Sequence, residues 1–320
     1  MTSINKESKI YIAGHNGMVG SALFRLFKAK GYLNLIVRNS NVLDLRDSKA
    51  TELFISNEKP DVIINAAAKV GGILANDRFP YEFLMDNMLI QNNIIGLSHK
   101  YDIDKLIFFG SSCIYPKLAP QPLKEEYLLS GPLEETNQWF AIAKISGVKL
   151  VKALRKQFGR DYIAIMPTNL YGPGDNYDLE NSHVLPAMFR KFITAKSNNL
   201  KKVKLWGTGN PRREFLHVDD LAEACFHILN QKNEYSMINV GTGDDISIKE
   251  LAEMIKEVTS FEGEIIWNTD KPDGTPRKLM DISKVKNQGW KPKIDLKDGL
   301  KSVYSMISGI DWEEYENKIQ

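Results

Sequence analysis

The sequence predicts an α/β fold with a mainly parallel sheet of seven or so strands and helices on both faces. Two observations carry this prediction. Short apolar runs recur along the first half of the chain, and longer segments with helical spacing of apolar residues separate them. Strands that alternate with helices in this way are typical of βαβ units, whose parallel strands are buried on both faces.

The elements follow in order along the chain. The predicted strands are "KIYIAG" (9–14), "LIVR" (35–38), "DVIINAAA" (61–68), "KLIFFGSS" (105–112) and "YIAIMPTNL" (162–170). The segments "GSALFRLFKAKG" (20–31) and "YEFLMDNMLIQNNIIGLSHKY" (81–101) have apolar residues at helical spacing and predict helices between these strands.

The pattern changes after residue 170. The stretch "YGPGDNYDLENSH" (171–183) has turn composition, "ISIKELAEMIKEVT" (246–259) predicts an amphipathic helix, and "NTDKPDGTPRK" (268–278) predicts a loop. We therefore predict one domain from 1–170 plus about 214–245. A smaller, discontinuous C-terminal α/β domain, from about 171–213 plus 246–320, would lie over the carboxyl ends of the strands, where open α/β sheets bind ligands.

Composition excludes several classes of protein. The 320 residues are 43% hydrophobic, and 42 basic and 40 acidic residues give a net charge of +2 without long runs of one sign. This charge predicts no nucleic-acid or membrane partner, and no apolar segment reaches the length of about 18 residues that a membrane span needs. The two cysteines, Cys113 and Cys225, cannot form a disulfide framework. We expect a soluble cytoplasmic protein without a metal site.

A glycine-rich turn marks a cofactor site. Gly14, Gly17 and Gly20 directly follow the first predicted strand and begin a helix. Glycines let the backbone approach a pyrophosphate, and the helix N-terminus offers free N–H groups, so this context predicts a Rossmann-type dinucleotide site. The alternative is an ordinary strand-to-helix turn.

Arg38 follows the second predicted strand, where a site for NAD would carry an acid. A guanidinium there suits a 2′-phosphate and favours NADPH. We expect that this phosphate alone can satisfy the charge of Arg38. The alternative is a solvated surface arginine.

A third group of residues predicts carbonyl chemistry. Ser111, in "GSSCIYPK", follows the fourth predicted strand, and "FAIAK" places Phe140 and Lys144 four residues apart on one helical face. A hydroxyl at the end of a strand and two side chains on a helix can converge on one carbonyl oxygen.

These motifs are shared with a known family. The chain resembles the extended short-chain dehydrogenase/reductase superfamily and, within it, the GDP-L-fucose synthase family of GDP-4-keto-6-deoxy-mannose epimerase-reductases. The resemblance covers nearly the whole chain. It rests on "IAGHNGMVGSA", "AAAKVGGI", "GSSCIYPK", "AIAKI", "MPTNLYGP", "REFLHVDD", "INVGTG", "KPDGTPRK" and a match around "NSHV".

The resemblance implies NADPH-dependent reduction of a GDP-linked 4-keto sugar. Ser111 would form a hydrogen bond with the C4 oxygen of the sugar. Lys144 would hold the nicotinamide ribose and lower the pKa of a neighbouring tyrosine, and Phe140 takes the place of that tyrosine here. Cys113 and His183 would be base and acid in epimerisation beside the ketone, where an enolate can form. A homodimer with a helical interface is also implied.

The remaining implied residues contact the cofactor or the substrate. The cofactor set comprises Gly14, Gly17, Met18, Val19, Gly20, Arg38, Asp44, Ala66, Lys144, Pro167, Asn169, Leu170 and His183. The GDP-sugar set comprises Lys191, Trp206, Arg213 and Lys278. Lys191 departs from the expected arginine, which puts a point charge in place of a planar fork.

Some of these residues have plainer explanations. Cys113 could be a small buried apolar residue, His183 could cap a helix, and Trp206 could pack in the core.

Phe140 is the main departure from the family pattern. It has no hydroxyl, so it cannot supply the proton transfer that contributes about 10²–10⁴ in rate. Because the rest of the site remains, we interpret Phe140 as an inactivating Tyr-to-Phe change, made by engineering rather than as a natural variant that uses water or another donor. The open alternatives are a UDP- or dTDP-sugar epimerase or dehydratase and a non-catalytic NADP(H)-binding protein. The sequence leaves open whether the sugar is a hexose or a heptose and whether epimerisation accompanies reduction.

Overall fold

The computed structural model describes residues 3–179, 182–232, 234–271 and 273–319. Its strands are β1 (Ile10–Ala13), β2 (Leu35–Ile36), β3 (Val62–Asn65), β4 (Lys105–Phe109), β5 (Asp161–Pro167), β6 (Asn169–Tyr171), β7 (Lys202–Trp206), β8 (Arg212–Arg213), β9 (Phe215–His217), β10 (Met237–Val240), β11 (Ile246–Ser247), β12 (Glu264–Asn268) and β13 (Arg277–Lys278). Its α-helices are α1 (Met18–Ala29), α2 (Ser48–Glu58), α3 (Ile73–Arg78), α4 (Pro80–Lys100), α5 (Gln138–Phe158), α6 (Val184–Ser197), α7 (Val218–Leu229), α8 (Ile248–Thr259), α9 (Ser283–Asn287), α10 (Leu296–Ile307) and α11 (Trp312–Ile319).

The main sheet has the strand order β10-β5-β4-β3-β1-β2, and every neighbouring pair is parallel. Strands β1, β3, β4, β5 and β10 are buried along their whole length. The prediction of a Rossmann-type, doubly wound parallel sheet is confirmed, although the sheet has six strands. The predicted strand 162–170 divides after Pro167, because β6 leaves the sheet to pair with β9.

Helices cover the sheet. α1 packs against α7, and α4 packs along α5. The predicted helices at 20–31 and 81–101 are present with small changes, since α1 begins at Met18 and α4 begins at Pro80. Proline suits the first turn of a helix because that turn's N–H groups have no partner within the helix. None of the described helices combines the length and the apolar character that crossing a membrane requires.

The second half of the chain forms smaller sheets, with the orders β11-β8-β13, β12-β7 and β6-β9. Its apolar core lies between α6, α8 and α10 and includes Phe189, Phe192, Leu251, Ile255 and Leu300. The loop predicted at 171–183 begins with the last residue of β6 and is irregular after it where it is described; residues 180 and 181 lie outside the described residues.

Two details differ from the sequence prediction. The segment predicted as a loop at 268–278 ends in β13, which pairs with β8, while residue 272 lies outside the described residues. The predicted domain boundary also fails for one stretch: Met280, Ile282, Val285 and Trp290 belong to the core of the main sheet. The reason is that α9 packs on β10, the edge strand of that sheet.

Candidate functional site

The turn after β1 lies where the strand order of the main sheet reverses, next to the end of β3. Gly14 has a φ of +79°, and a Cβ on it would lie 2.8 Å from the carbonyl oxygen of Ala66. Gly20, in α1, lies directly against the Gly14 carbonyl, so it has no room for a side chain. The packing of the turn itself therefore requires these two glycines.

Gly17 needs a different explanation. It precedes α1 with a φ of −78°, and a Cβ there would meet only the Gly14 carbonyl, at an ordinary distance of 3.5 Å. No described protein atom requires a glycine at this position. The missing side chain leaves space at a helix N-terminus, where free N–H groups favour a phosphate. The turn thus fits the pyrophosphate of a dinucleotide.

One cavity of about 1400 Å³ extends from this turn to the second half of the chain. The predicted site residues that line it are Gly14, Gly17, Met18, Val19, Arg38, Asp44, Ala66, Ser111, Cys113, Phe140, Lys144, Pro167, Asn169, Leu170, His183, Lys191, Trp206, Arg213 and Lys278. Gly20 alone among the predicted residues lies behind the cavity wall. In the described part of the chain, no cluster of His, Cys, Asp or Glu could hold a metal ion.

Arg38 lines the cavity but already has an anionic partner. Its Nη2 donates to Glu58 Oε1 at 2.8 Å, and its Nη1 donates to the Val37 carbonyl. The expectation that only a phosphate could satisfy this charge is therefore wrong. Arg38 is exposed, so the alternative of a surface arginine stands, with Glu58 as its partner. Asp44 is likewise paired, with Arg46 at 2.8 Å.

Ser111, Phe140 and Lys144 come together from β4 and α5. Lys144 is buried, its Nζ donates to the Phe109 carbonyl at 2.9 Å, and it lies 5.5 Å from the centre of the Phe140 ring. Burial lowers the pKa of Lys144 to about 8. An ammonium has three donors, so one carbonyl leaves others that can face a ligand.

Cys113 and His183 reach the same cavity from different elements. Cys113 is 8% exposed, in the short turn Ser112–Ile114. Burial raises the pKa of its thiol, while Lys278, Ser111, Lys144 and Asn137 lower it. His183 occupies the N-cap position of α6, as the alternative of a helix cap expects, but its side chain makes no capping bond. The surrounding protein, and then Lys278, lower the pKa of His183.

The predicted sugar-nucleotide residues form the far end of the cavity. Trp206 is 50% exposed, which rules out core packing, and the Nζ of Lys191 lies 5.5 Å from its ring centre. Arg213 and Lys278 are register partners on β8 and β13. Burial lowers the pKa of both, and no carboxylate of the described residues lies within ion-pair distance of either. Two neighbouring, partly desolvated cations fit an anion such as a diphosphate.

A buried carboxylate connects the two ends of the cavity. Glu214 is fully buried, and it accepts bonds from the backbone N–H groups of Gly243 and Met280 at 2.7 and 2.8 Å. Its own carbonyl accepts from Asn169 Nδ2 at 2.8 Å. Glu214 therefore fixes the position of the segment after Lys278 and, as the next residue in the chain, the position of Arg213.

Sequence reasoning missed three residues at this site. They are Asn137, which lines the cavity, Glu214, which is buried next to Arg213, and Lys271, whose Nζ lies 5.3 Å from the Trp206 ring centre. Glu214 and Asn137 lie within or beside the recognised motifs, which was the available signal. Lys271 is the first residue of "KPDGTPRK", so the same signal was available for it.

Comparison with known proteins agrees with this geometry. The chain matches the model of the NAD dependent epimerase/dehydratase family over residues 10–241. GDP-L-fucose synthase 1 of Arabidopsis thaliana is 52% identical over 300 residues, which cover 94% of this chain and 93% of that protein. GDP-L-fucose synthase of Escherichia coli strain K12 is 48% identical over 307 residues, which cover 93% and 96%. A solved structure of a GDP-mannoheptose C4 reductase from Campylobacter jejuni with NADP bound has a TM-score of 0.86 at 37% identity, covering 95% of this chain and 99% of its own. The chain belongs to the NAD dependent epimerase/dehydratase family, and its sequence groups with the GDP-L-fucose synthases.

Proposed function

We propose that this chain has the site of an NADPH-dependent reductase for the 4-keto group of a GDP-4-keto-6-deoxy sugar, either a hexose or a heptose. One observation carries the proposal. A single cavity joins the glycine turn to Ser111 and Lys144 and then to the cations Arg213 and Lys278. Relatives named for GDP-L-fucose synthesis and for C4 reduction of a GDP-heptose support the same reaction.

The residues present fit NADPH. When bound, this cofactor supplies a hydride. The bare backbone of Gly17 faces the pyrophosphate, and Arg38 exchanges part of its pairing with Glu58 for the 2′-phosphate. Met18, Val19, Asp44, Ala66, Pro167, Asn169, Leu170 and His183 form the rest of the proposed cofactor surface.

Reduction adds a hydride at C4 and a proton at O4. Ser111 donates a hydrogen bond to O4, and Lys144 directs an ammonium to the ribose hydroxyls of the cofactor. Arg213 and Lys278 hold the diphosphate, while Lys191 and Trp206 contact the nucleoside end. Phe140 lies where the proton donor is needed, and its ring cannot donate. This chain therefore has an impaired form of the site.

The test is to restore the hydroxyl with Phe140→Tyr. We expect a gain of about 10²–10⁴ in turnover, because Lys144 and Ser111 are already in place. Loss of NADPH absorbance with a GDP-4-keto sugar measures the rate. Activity should fall as the pH rises past about 8, where Lys144 loses the charge that favours the tyrosine phenolate.

Two results would contradict parts of this proposal. Equal turnover of the two forms would place the proton donor elsewhere. If neither form consumed NADPH with any keto sugar, the non-catalytic NADP(H)-binding alternative would replace the reductase. Reduction of UDP- or dTDP-sugars in preference to GDP-sugars would favour the other nucleotide-sugar alternative.

Epimerisation is the second proposed activity. Cys113 and His183 exchange protons at the carbons beside the ketone, because the ketone stabilises the enolate. Since Phe140 blocks reduction, the unmodified chain in heavy water should incorporate deuterium at C3 or C5 of a GDP-4-keto sugar, and Cys113→Ser should slow this. If no deuterium is incorporated at saturating substrate, the protein reduces C4 and does not catalyse epimerisation.

We also propose a homodimer formed through α4 and α5. Apolar side chains on these helices are exposed, among them Tyr81, Leu89, Trp139 and Ile142. Burying such a surface against a second copy stabilises an isologous interface. Analytical ultracentrifugation should give twice the chain mass of 36.3 kDa, and Leu89→Glu should shift it toward the monomer. We place the protein in the cytoplasm with no nucleic-acid partner, which fractionation and a binding assay would test.

A further inference from the structure

Asn137 occupies the position just before α5. Asparagine is favoured at such a position because its side-chain oxygen usually accepts an N–H bond from the first turn. Here the side chain makes no capping bond, and Oδ1 is buried without a hydrogen-bond partner among the described residues. Capping of α5 therefore does not explain why an asparagine stands at this position.

The amide lies in the cavity beside Cys113. It lines the cavity wall, as Cys113 does, and a hydrogen bond from the amide to the thiol would favour the thiolate. The charged groups that act on the same sulfur are Lys278 and Lys144, and Ser111 supplies another hydrogen bond. Burial opposes all of them and is the strongest influence, so the pKa of the thiol is raised overall and each donor at the sulfur limits that rise.

The unpartnered Oδ1 points to a ligand. A buried amide oxygen without a partner is unfavourable, so it is expected to find a donor when the site is filled. A sugar bound with its ketone near Ser111 carries hydroxyl groups close to the carbons on which Cys113 would act. A hydroxyl can donate to an amide oxygen, whereas a ketone cannot.

We propose that Asn137 is a positioning residue for Cys113, in which Nδ2 donates to the sulfur and Oδ1 accepts a hydroxyl of the bound sugar. This inference deepens the proposed epimerisation and rests on it. The Cys113 thiolate takes a proton from the carbon beside the ketone, and the C–H electron pair moves into the carbonyl to form the enolate. Protonated His183 then returns a proton to the other face of that carbon. The amide aligns the sulfur with the carbon that loses its proton.

The test measures the thiol directly, without substrate. In a Cys225→Ala background, Cys113 of the full chain is alkylated with iodoacetamide over a range of pH. Asn137→Ala and Asn137→Ser should both raise the pH midpoint of alkylation, because each removes the amide donor. Asn137→Asp should raise it further and slow alkylation about tenfold at neutral pH, since a carboxylate beside the sulfur disfavours the thiolate.

A capping role predicts a different pattern. Serine and aspartate cap helices as well as asparagine does, so under that role only Asn137→Ala would lower Tm and no midpoint would move. Gln138→Ala serves as the matched control, because this neighbour does not line the cavity and should leave the midpoint unchanged. Unchanged midpoints in the Ala and Asp variants would overturn the inference.

Substrate exchange separates this inference from the proposed function. With the unmodified chain, deuterium incorporation tests the epimerisation itself. In Asn137→Ala, incorporation should be slower and half-saturation should require more substrate, because Oδ1 is lost. If the unmodified chain exchanges deuterium while the alkylation midpoints of the variants stay fixed, the positioning role is wrong and the epimerisation stands. If no form exchanges deuterium, both fall.

Discussion

The two ends of the cavity are built differently. At the β1 turn the site is formed by backbone and by glycines. Gly14 and Gly20 have no room for a Cβ, whereas Gly17 leaves space for a ligand. At the other end, charged side chains such as Arg213 and Lys278 stand on two-residue strands. Steric fit therefore controls the first end, whereas position and charge control the second. At the first end, an added atom should reduce either the stability of the fold or the binding of the cofactor. At the second end, substrate binding should depend on the contacts that hold the short strands in place.

The largest effect is expected from adding a methyl group at the glycine turn. Gly20→Ala should cost about 3 kcal/mol or more of unfolding free energy, because the Cβ would meet the Gly14 carbonyl with no room to move. Gly17→Ala should keep the unfolding free energy and weaken NADPH binding by about 1–3 kcal/mol, since its Cβ projects where the ligand lies. Denaturant melts and fluorescence titration with NADPH measure the two quantities. Equal loss of stability in both variants would break the distinction between the two glycines.

Glu214→Gln tests what holds the charged end. An amide has the size of the carboxylate, but it turns an NH₂ group toward backbone N–H donors, so we expect a loss of about 1.5–3 kcal/mol of stability. Arg213 and Lys278 should lose alignment, and the KM for the GDP-sugar should rise in the Phe140→Tyr background. NADPH affinity should change less, which the same titration checks. An unchanged KM would show that β8 and β13 keep their positions without the carboxylate of Glu214.

A smaller effect is expected at Arg38. Because Glu58 already pairs with it, Arg38→Ala should weaken NADPH binding by about 1 kcal/mol and hardly alter NADH binding. The matched variant Glu58→Gln should tighten NADPH binding, since the phosphate then has no competitor. Parallel titrations with both cofactors measure this. Equal curves for NADPH and NADH before mutation would contradict the assignment.

Asp175 should give the smallest effect. Its Oδ2 is buried without a partner among the described residues, and burial raises its pKa to about 7. The folded state thus holds a proton that the unfolded state has lost, so this residue lowers stability as the pH rises from about 4 to about 7. Asp175→Asn should therefore raise Tm by about 2–4 °C above neutral pH and by less in acid.

Thermal melts at two pH values check this prediction. The control is Asp270→Asn, which changes an exposed aspartate and should have no pH-dependent effect. An equal change of Tm at both pH values would contradict the burial argument at Asp175.

The same contrast explains what could be predicted from the sequence. β1 and β3 carry their structure in local runs of apolar residues, so they were predicted within a few positions. β13 has no such signal, because two charged residues become a strand only by pairing with β8. The partner of Arg38 was also hidden, since Glu58 lies at the end of α2 and only the fold brings the two together. The proposed roles of Cys113 and His183 came from a motif, whereas the proposed role of Asn137 needed coordinates.

The order of strands in the main sheet also has a consequence for synthesis of the protein. β5 is buried along its whole length. One of its two neighbours in the sheet, β10, is synthesised only after β6, β7, β8 and β9. Until Met237–Val240 leave the ribosome, one hydrogen-bonding edge of a largely apolar strand stays open. Open edges of this kind pair with other chains. We therefore expect aggregation during expression to increase with the number of unfinished chains present together.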